Sequence, residues 1–322
     1  MTITYPVPAQ TSSVFVVVTD RTPTDLSSIV PWRMGPSHRR AARDALGTPR
    51  LTLQAFRSAR SPWRRMDLST EDLRRVRRAR HHVVLTSTAR VEEQPEAAQV
   101  ARAAARGIAE AYHGAVYDPL TGAAVYHCAE CPGERRDFRL GDDWLGWRVS
   151  CADEEHACGL GAAASEGIGA EADGGCSCLV TTSRGLRRFG LPEITLTGLA
   201  CAHSLCAVTV LRTVAESLLA GHFAWLYRQT ETPPPCRGVA RRLRVVGMDY
   251  AVLSGGADLE GGPFHVPRAE DGSPPGMPDE ESGLLRVRLT PAAAARSCLR
   301  LRLPGGHGGN PRPHHTPGLL VA

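Results

Sequence analysis

The chain has 322 residues, of which 42% are hydrophobic but only 5% are aromatic, and its net charge is +5. This length allows a well-buried core in one large domain or in two of about 150 residues each. The scarcity of aromatic side chains argues against a platform on which nucleic-acid bases stack. All 38 basic residues are Arg, which we interpret as compositional drift in a high-GC genome.

The first residues of the chain do not resemble an export signal. Residues 1–13 carry no positive charge, and the apolar run at 14–18 is too short for the core of a signal peptide. No stretch approaches the roughly 18 apolar residues of a membrane span. We therefore expect a cytoplasmic protein whose ten cysteines are free thiols or metal ligands and not structural disulfides.

The first elements are strands followed by a short basic helix. The β-branched run at 14–19 predicts a buried strand, and alternation at 51–56 predicts a strand with one solvated face. Residues 67–80 form a predicted helix with Ser69 or Thr70 as N-cap, because acidic residues in its first turn suit the helix dipole.

A short strand leads into one amphipathic helix at two places in the chain. The strand at 82–89 precedes the helix at 95–112, and the strand at 194–199 precedes the helix at 204–220. Small residues at helical spacing in the first of these helices predict close packing on a sheet.

Strands outnumber helices in both halves, which is typical of an α+β protein with helices on one face of mainly antiparallel sheets. We expect two related halves that form a ferredoxin-like pair. The predicted boundaries are an N-terminal half at 1–127, a Cys/Gly-rich connection at 128–177 with a strand at 144–150, a C-terminal half at 178–303 and a disordered tail at 304–322. Periodicity leaves open whether the halves share one sheet.

The cysteine spacing contains one zinc-like motif. Cys128-x-x-Cys131 has the spacing of a zinc knuckle, and Cys151 and Cys158 lie close enough downstream to complete four ligands. Six residues separate that second pair, more than a second knuckle uses. The alternative is that these cysteines are unliganded thiols, and Cys178 in a predicted strand would then serve as a small apolar residue. Zinc is the only cofactor that the sequence indicates.

Basic residues are concentrated between positions 33 and 80, a segment that contains fourteen Arg and only four acidic residues. On a helix, Arg74, Arg77, Arg78 and His81 would share one face and track phosphates, with the basic stretch continuing to His82. The alternative is an ordinary solvated helix face whose opposite side packs on the sheet. A surface of one charge sign also suits an acidic partner protein.

Two stretches resemble known proteins. The sequence SRGLRRFGLPEITLTG within residues 182–198 and the GAVYDP ending of residues 109–119 are similar to uncharacterised actinobacterial proteins that carry a domain of unknown function. The resemblance covers about a third of the chain and implies an α+β fold. It implies no activity, cofactor or site residue.

No linear signature of catalysis occurs in the sequence. It contains no Gly-x-Ser-x-Gly elbow, no phosphate-binding Walker loop and no dinucleotide fingerprint. Our main interpretation is a cytoplasmic binding or scaffold protein whose partner is another protein. The two alternatives are a zinc-stabilised module built on Cys128 and Cys131 and a nucleic-acid-binding protein that uses the basic face from Arg74 to His82.

Overall fold

A computed structural model describes residues 2–26, 36–126, 133–141, 143–152, 178–229, 236–240, 242–245, 248–255 and 284–289. The tail predicted at 304–322 lies outside the described residues. The described chain forms four α-helices: α1 (Pro36–Ala45), α2 (Thr70–Arg78), α3 (Glu96–Tyr112) and α4 (Ser204–Tyr227).

The same residues form thirteen strands. They are β1 (Thr2–Pro6), β2 (Gln10–Thr19), β3 (Thr52–Arg57), β4 (His81–Arg90), β5 (Ala115–Asp118), β6 (Ala123–Val125), β7 (Gly146–Cys151), β8 (Leu179–Arg184), β9 (Glu193–Leu199), β10 (Cys236–Ala240), β11 (Arg242–Val245), β12 (Met248–Gly255) and β13 (Leu284–Leu289). The α+β class predicted from the sequence is therefore confirmed, and most strand pairs are antiparallel, as expected.

The first sheet has the strand order β3-β4-β2-β5-β6, with every pair antiparallel. Its centre is the pair β2–β4, which stays in register from Gln10↔Arg90 to Thr19↔His81. The Val-rich run in β2 is buried almost throughout, because a central strand covered on both sides favours β-branched apolar residues.

Both faces of this first sheet are covered. Phe15 and Val17 face a core that includes α3, whereas Val14 and Val16 face a smaller cluster with Val76 of α2. Successive residues of a strand point to opposite faces, so α2 and α3 lie on opposite sides of the sheet. The sequence predicted helices on one face only, whereas the structure places α2, through its buried Val76, on the face opposite α3.

The second sheet has the order β11-β12-β13-β9-β8-β7, and its pair β13–β9 is parallel while the others are antiparallel. The two halves thus hold separate sheets of different topology. A third, two-stranded sheet pairs β1 with β10 in antiparallel register. That pairing joins the N-terminal strand to the C-terminal half.

Helix α4 is long and apolar, and it packs on strands of the second sheet. Within the described chain it is the one helix long and apolar enough to cross a membrane, with a mean hydropathy of 1.4 over 18 residues. This differs from the expectation that no stretch approaches that limit. Its buried residues, among them Val210, Leu211 and Val214, belong to the main core. Core helices of soluble proteins also meet these criteria of length and hydropathy.

The two halves share one hydrophobic core, and Trp144 lies within it. The guanidinium carbon of Arg102, from α3, lies 3.4 Å from the centre of the Trp144 ring, and that of Arg188 lies 5.4 Å from it. Arg102 binds Glu134 through two nitrogen–oxygen contacts of 2.7 and 2.8 Å. Arg188 binds Asp118 of β5 at 2.5 Å, with both side chains fully buried. Each buried cation is therefore paired with a carboxylate.

The turn between α3 and β5 requires close backbone packing. His113 adopts the left-handed conformation with φ of 51° and ends α3. Gly114 follows directly and allows close packing, because a Cβ at this position would lie 2.5 Å from the carbonyl oxygen of Val18.

We predict that Arg188→Met destabilises the fold by about 3–5 kcal/mol, because it leaves the Asp118 carboxylate buried and unpaired. Replacing both residues, as in Arg188→Met with Asp118→Leu, should cost less than the single change. The free energy of unfolding from urea titration measures both effects. The matched control is Arg50→Gln, which removes an arginine of the exposed Arg50–Glu93 pair and should cost at most about 1 kcal/mol. Equal destabilisation by Arg188→Met and Arg50→Gln would contradict the prediction.

Candidate functional site

Three cysteine side chains converge at one end of the second sheet. The sulfur atoms of Cys151, Cys178 and Cys201 all lie within 4.8 Å of one another, and the sulfurs of Cys178 and Cys201 are 3.3 Å apart. Cys201 is buried, and the other two are partly exposed. We call this group the thiol cluster.

The register of the sheet explains why these residues meet. Cys151 is the last residue of β7 and pairs with Leu179, which in turn pairs with Leu199 of β9. Cys178 immediately precedes Leu179, and Cys201 follows Leu199 by two residues. The backbone N–H of Ala152 donates to the carbonyl of Cys178 at 2.7 Å. Two antiparallel strand pairings therefore bring three cysteines that are distant in sequence to the same end of the second sheet.

The structure describes one of the four predicted zinc ligands. Cys151 is a member of the thiol cluster, while Cys128, Cys131 and Cys158 lie outside the described residues. The linear spacing of the cysteines did not indicate Cys178 and Cys201 as partners of Cys151, because the three residues are distant in sequence. The predicted strands at 144–150 and 194–199 and the predicted strand that contains Cys178 carried the signal, since a cysteine lies in each strand or within two residues of its end.

The second candidate is a basic surface on α2 and the segments that precede it. Arg74, Arg77 and Arg78 are exposed on α2, and the Arg77 side chain donates to the carbonyl of Arg64 in the 3-10 turn Pro62–Arg65. Turns Ser58–Arg60 and Pro62–Arg65 both contact α2. We define the arginine face as six exposed residues on these adjoining elements: Arg57, Arg60, Arg65, Arg74, Arg77 and Arg78.

The charges of the arginine face are not neutralised by carboxylates of the described chain, in which none of the six forms an ion pair. The neighbouring Arg75 differs, because it pairs with Glu71. Elsewhere the described chain pairs many of its arginines, for example Arg90 with Glu92 and Arg184 with Asp67. The arginine face is therefore a concentration of unpaired positive charge.

The two histidines of the predicted basic face differ from expectation. Helix α2 ends at Arg78, so His81 lies at the start of β4 and is only partly exposed, opposite Arg57 in the ladder. His82 is fully buried, and its ring nitrogens contact the Ser61 hydroxyl and the carbonyl of Val76. Burial lowers the pKa of His82. The prediction that the basic surface extends to His82 was wrong, because β-strand alternation turns that side chain inwards.

Glu193 and Ser183 form a buried hydrogen-bonded pair between β8 and β9. Glu193 accepts hydrogen bonds from the Ser183 hydroxyl at 2.5 Å and from the backbone N–H groups of Gly185 and Arg187. Burial raises the pKa of Glu193, and these hydrogen bonds and the nearby Arg187 charge oppose that rise. The Ser183 hydroxyl also accepts from the N–H of Ile194. This arrangement closes the turn before β9, and both side chains are buried.

A second buried group ties β1 to α4 and β10. The Tyr5 hydroxyl lies 3.3 Å from Nδ1 of His222 and accepts a hydrogen bond of 2.9 Å from Arg237. Burial, together with the Arg237 charge, lowers the pKa of His222 to about 3, although the backbone of Phe189 opposes this shift. Burial also raises the pKa of Tyr5 to about 12, against the effect of Arg237. His222 and Tyr5 are therefore both neutral at pH 7.

This group predicts a loss of stability in acid. The pKa of His222 is about 3 in the fold and about 6.5 when unfolded, so the unfolded chain binds the extra proton. Stability should be complete above pH 6.5 and should fall by about 1.4 kcal/mol per pH unit as the pH decreases from 6 towards 3. The measurement is the midpoint of urea unfolding between pH 4 and 7 for the wild type and for His222→Gln. The variant should show a shallower slope in this range, and an identical slope would contradict the prediction.

Comparisons with known proteins add no identification: no family model, no curated protein and no solved structure matches this chain. The resemblance to actinobacterial proteins of unknown function thus stays a prediction.

Proposed function

We propose that this protein is a cytoplasmic binding protein without catalytic activity, and that it contacts the phosphate backbone of a nucleic acid through the arginine face. The observation that carries the proposal is the unpaired charge of that face. Six exposed guanidinium groups on adjoining elements have no carboxylate partner in the described chain, whereas several other arginines, such as Arg50, Arg90 and Arg184, are paired.

The chemistry of arginine favours phosphate as the group bound. A guanidinium is always charged and presents a planar set of donors that matches the oxygens of a phosphate. Release of counterions from a nucleic-acid backbone then supplies binding energy that does not depend on sequence. In this proposal Arg74, Arg77 and Arg78 of α2 contribute the central contacts, as their helical spacing places them on one side.

All six residues of the arginine face are arginines, so the face offers no aromatic ring on which a base could stack. This composition favours binding of a duplex over binding of a single strand. Trp63 and Tyr117 lie under the arginine face but are buried in the small core cluster with Val76. Single-stranded nucleic acid is bound largely by stacking of bases on aromatic side chains. A surface that offers only cations suits the regular phosphate rows of a double helix.

A partner protein, which the sequence favoured, has less support from the described surface. The large hydrophobic side chains exposed there are Tyr126, Leu205 and Tyr227, and the latter two lie at opposite ends of α4. Stable protein interfaces are centred on clustered aromatic and aliphatic anchors. An acidic protein that uses charge alone is the second candidate for the arginine face, and competition with polyglutamate separates it from nucleic acid.

The absence of catalysis is supported by where the titratable groups lie. Perturbed pKa values in an accessible cleft often mark an active site. Among the described residues, the groups with shifted pKa values other than Asp67 are buried in the core: Tyr5, His82, Tyr117, Glu193 and His222.

The test is binding of a fluorescent 20-base-pair duplex, measured by anisotropy from 50 to 300 mM salt. We expect the affinity to fall steeply with salt. Arg74→Gln with Arg78→Gln should weaken binding and reduce the slope of log K against log salt by about 0.9 for each phosphate that the variant no longer neutralises. Both changes keep a good helix-forming residue and leave the Arg77–Arg64 hydrogen bond intact.

The matched control is Arg50→Gln with Arg90→Gln, which removes the same net charge at arginines that pair with Glu93 and Glu92. This control should bind nearly as the wild type does. Equal weakening by both double variants, or no duplex binding at 50 mM salt, would contradict the proposal. Displacement of the duplex by polyglutamate at equal charge concentration would instead indicate an acidic protein partner.

A further inference from the structure

We propose that Cys151, Cys178 and Cys201 form a thiolate site for zinc. The three sulfur atoms lie within 4.8 Å of one another. Tetrahedral zinc with bonds of about 2.3 Å holds its sulfur ligands about 3.8 Å apart. That spacing falls between the Cys178–Cys201 distance of 3.3 Å and the limit of 4.8 Å that holds for all three pairs. Small side-chain adjustments would therefore place all three sulfurs around one ion.

The backbone holds these cysteines together without help from a metal. The ladder fixes Cys151 opposite Leu179, the residue after Cys178, and fixes Leu179 opposite Leu199. Cys201 then opens the 3-10 turn Cys201–His203 that leads into α4. A site made of strand ends and one turn is positioned by the sheet, so little of the binding energy is needed to order the ligands.

Packing alone does not account for three thiols at one point. A buried cysteine that acts as a small apolar residue needs no second sulfur beside it. A disulfide would use only two of the three, and the separation of Cys178 and Cys201 exceeds the bond length of about 2.05 Å. Soft thiolates that converge in this way select zinc among the common divalent cations. Cys151 and Cys178 are partly exposed, which gives the ion a path to the site.

The proposal keeps one ligand of the predicted zinc site and changes its partners. Cys151 was predicted to join Cys128, Cys131 and Cys158, and the described structure joins it to Cys178 and Cys201. The site is also independent of the arginine face, because it lies on the second sheet and the arginine face belongs to the first. Failure of either proposal therefore leaves the other intact.

The experiment is titration of the full chain, purified without a His tag and stripped of metal under reducing conditions. Cobalt should bind at one ion per chain and give a thiolate-to-cobalt charge-transfer band, which zinc should then abolish. Cys178→Ser should weaken cobalt binding by more than about tenfold, since even the loss of an outer-shell partner costs that much. Cys236→Ser is the matched control, because this thiol is exposed on β10, and it should bind as the wild type does.

Circular dichroism of each variant shows whether the fold survives the substitution. If Cys178→Ser does not fold, Cys151→His serves instead, because histidine remains a zinc ligand and should shift the cobalt spectrum without abolishing binding. The proposal is overturned if the reduced wild type gives no charge-transfer band. It is also overturned if Cys178→Ser binds cobalt as the wild type does, or if peptide mapping shows that the oxidised native chain carries a Cys178–Cys201 disulfide and the reduced chain binds no metal.

Discussion

The fold depends on how two arginines are buried at the junction of its halves. Arg102 and Arg188 both pack against Trp144, and each needs a carboxylate because an isolated charge in the core is prohibitively costly. Arg188 finds its carboxylate, Asp118, on the first sheet. Since Arg188 itself belongs to the turn between β8 and β9, the pair can form only when the two sheets are assembled. Burial of charge thus makes the halves interdependent.

Local patterns predicted most of the elements well. The helix predicted at 95–112 is α3 (Glu96–Tyr112), Ser69 is the N-cap of α2, and the predicted strand at 194–199 matches β9 (Glu193–Leu199). These predictions are correct because a helix or strand with one buried face needs apolar residues at the spacing of that element. The strands β1, β10 and β12 were missed. The pairing of β1 with β10 is decided by a partner more than 200 residues away, and such long-range pairing leaves no local period.

The two candidate sites differ in how far the sequence could reveal them. The concentration of Arg in the sequence indicated the arginine face. Only the fold shows that His82 turns inwards, and that Arg75 is paired whereas Arg74 and Arg78 are not. The thiol cluster was hidden, since its members are separated by 27 and 23 residues and meet through the register of three strands. Linear spacing can reveal a site that lies within one loop. A site formed at the ends of several strands can be recognised only when the pairing of those strands is known.

The sheet made by β1 and β10 has a consequence for how the chain is made. Tyr5 and Arg237 are 232 residues apart, so β1 leaves the ribosome long before its partner strand is synthesised. During this interval β1 has an unpaired backbone, and an unpaired strand edge is prone to aggregate. Contacts of such high sequence separation also slow folding. A chaperone that shields the nascent N-terminal segment would therefore raise the yield of native protein more than one that acts after release.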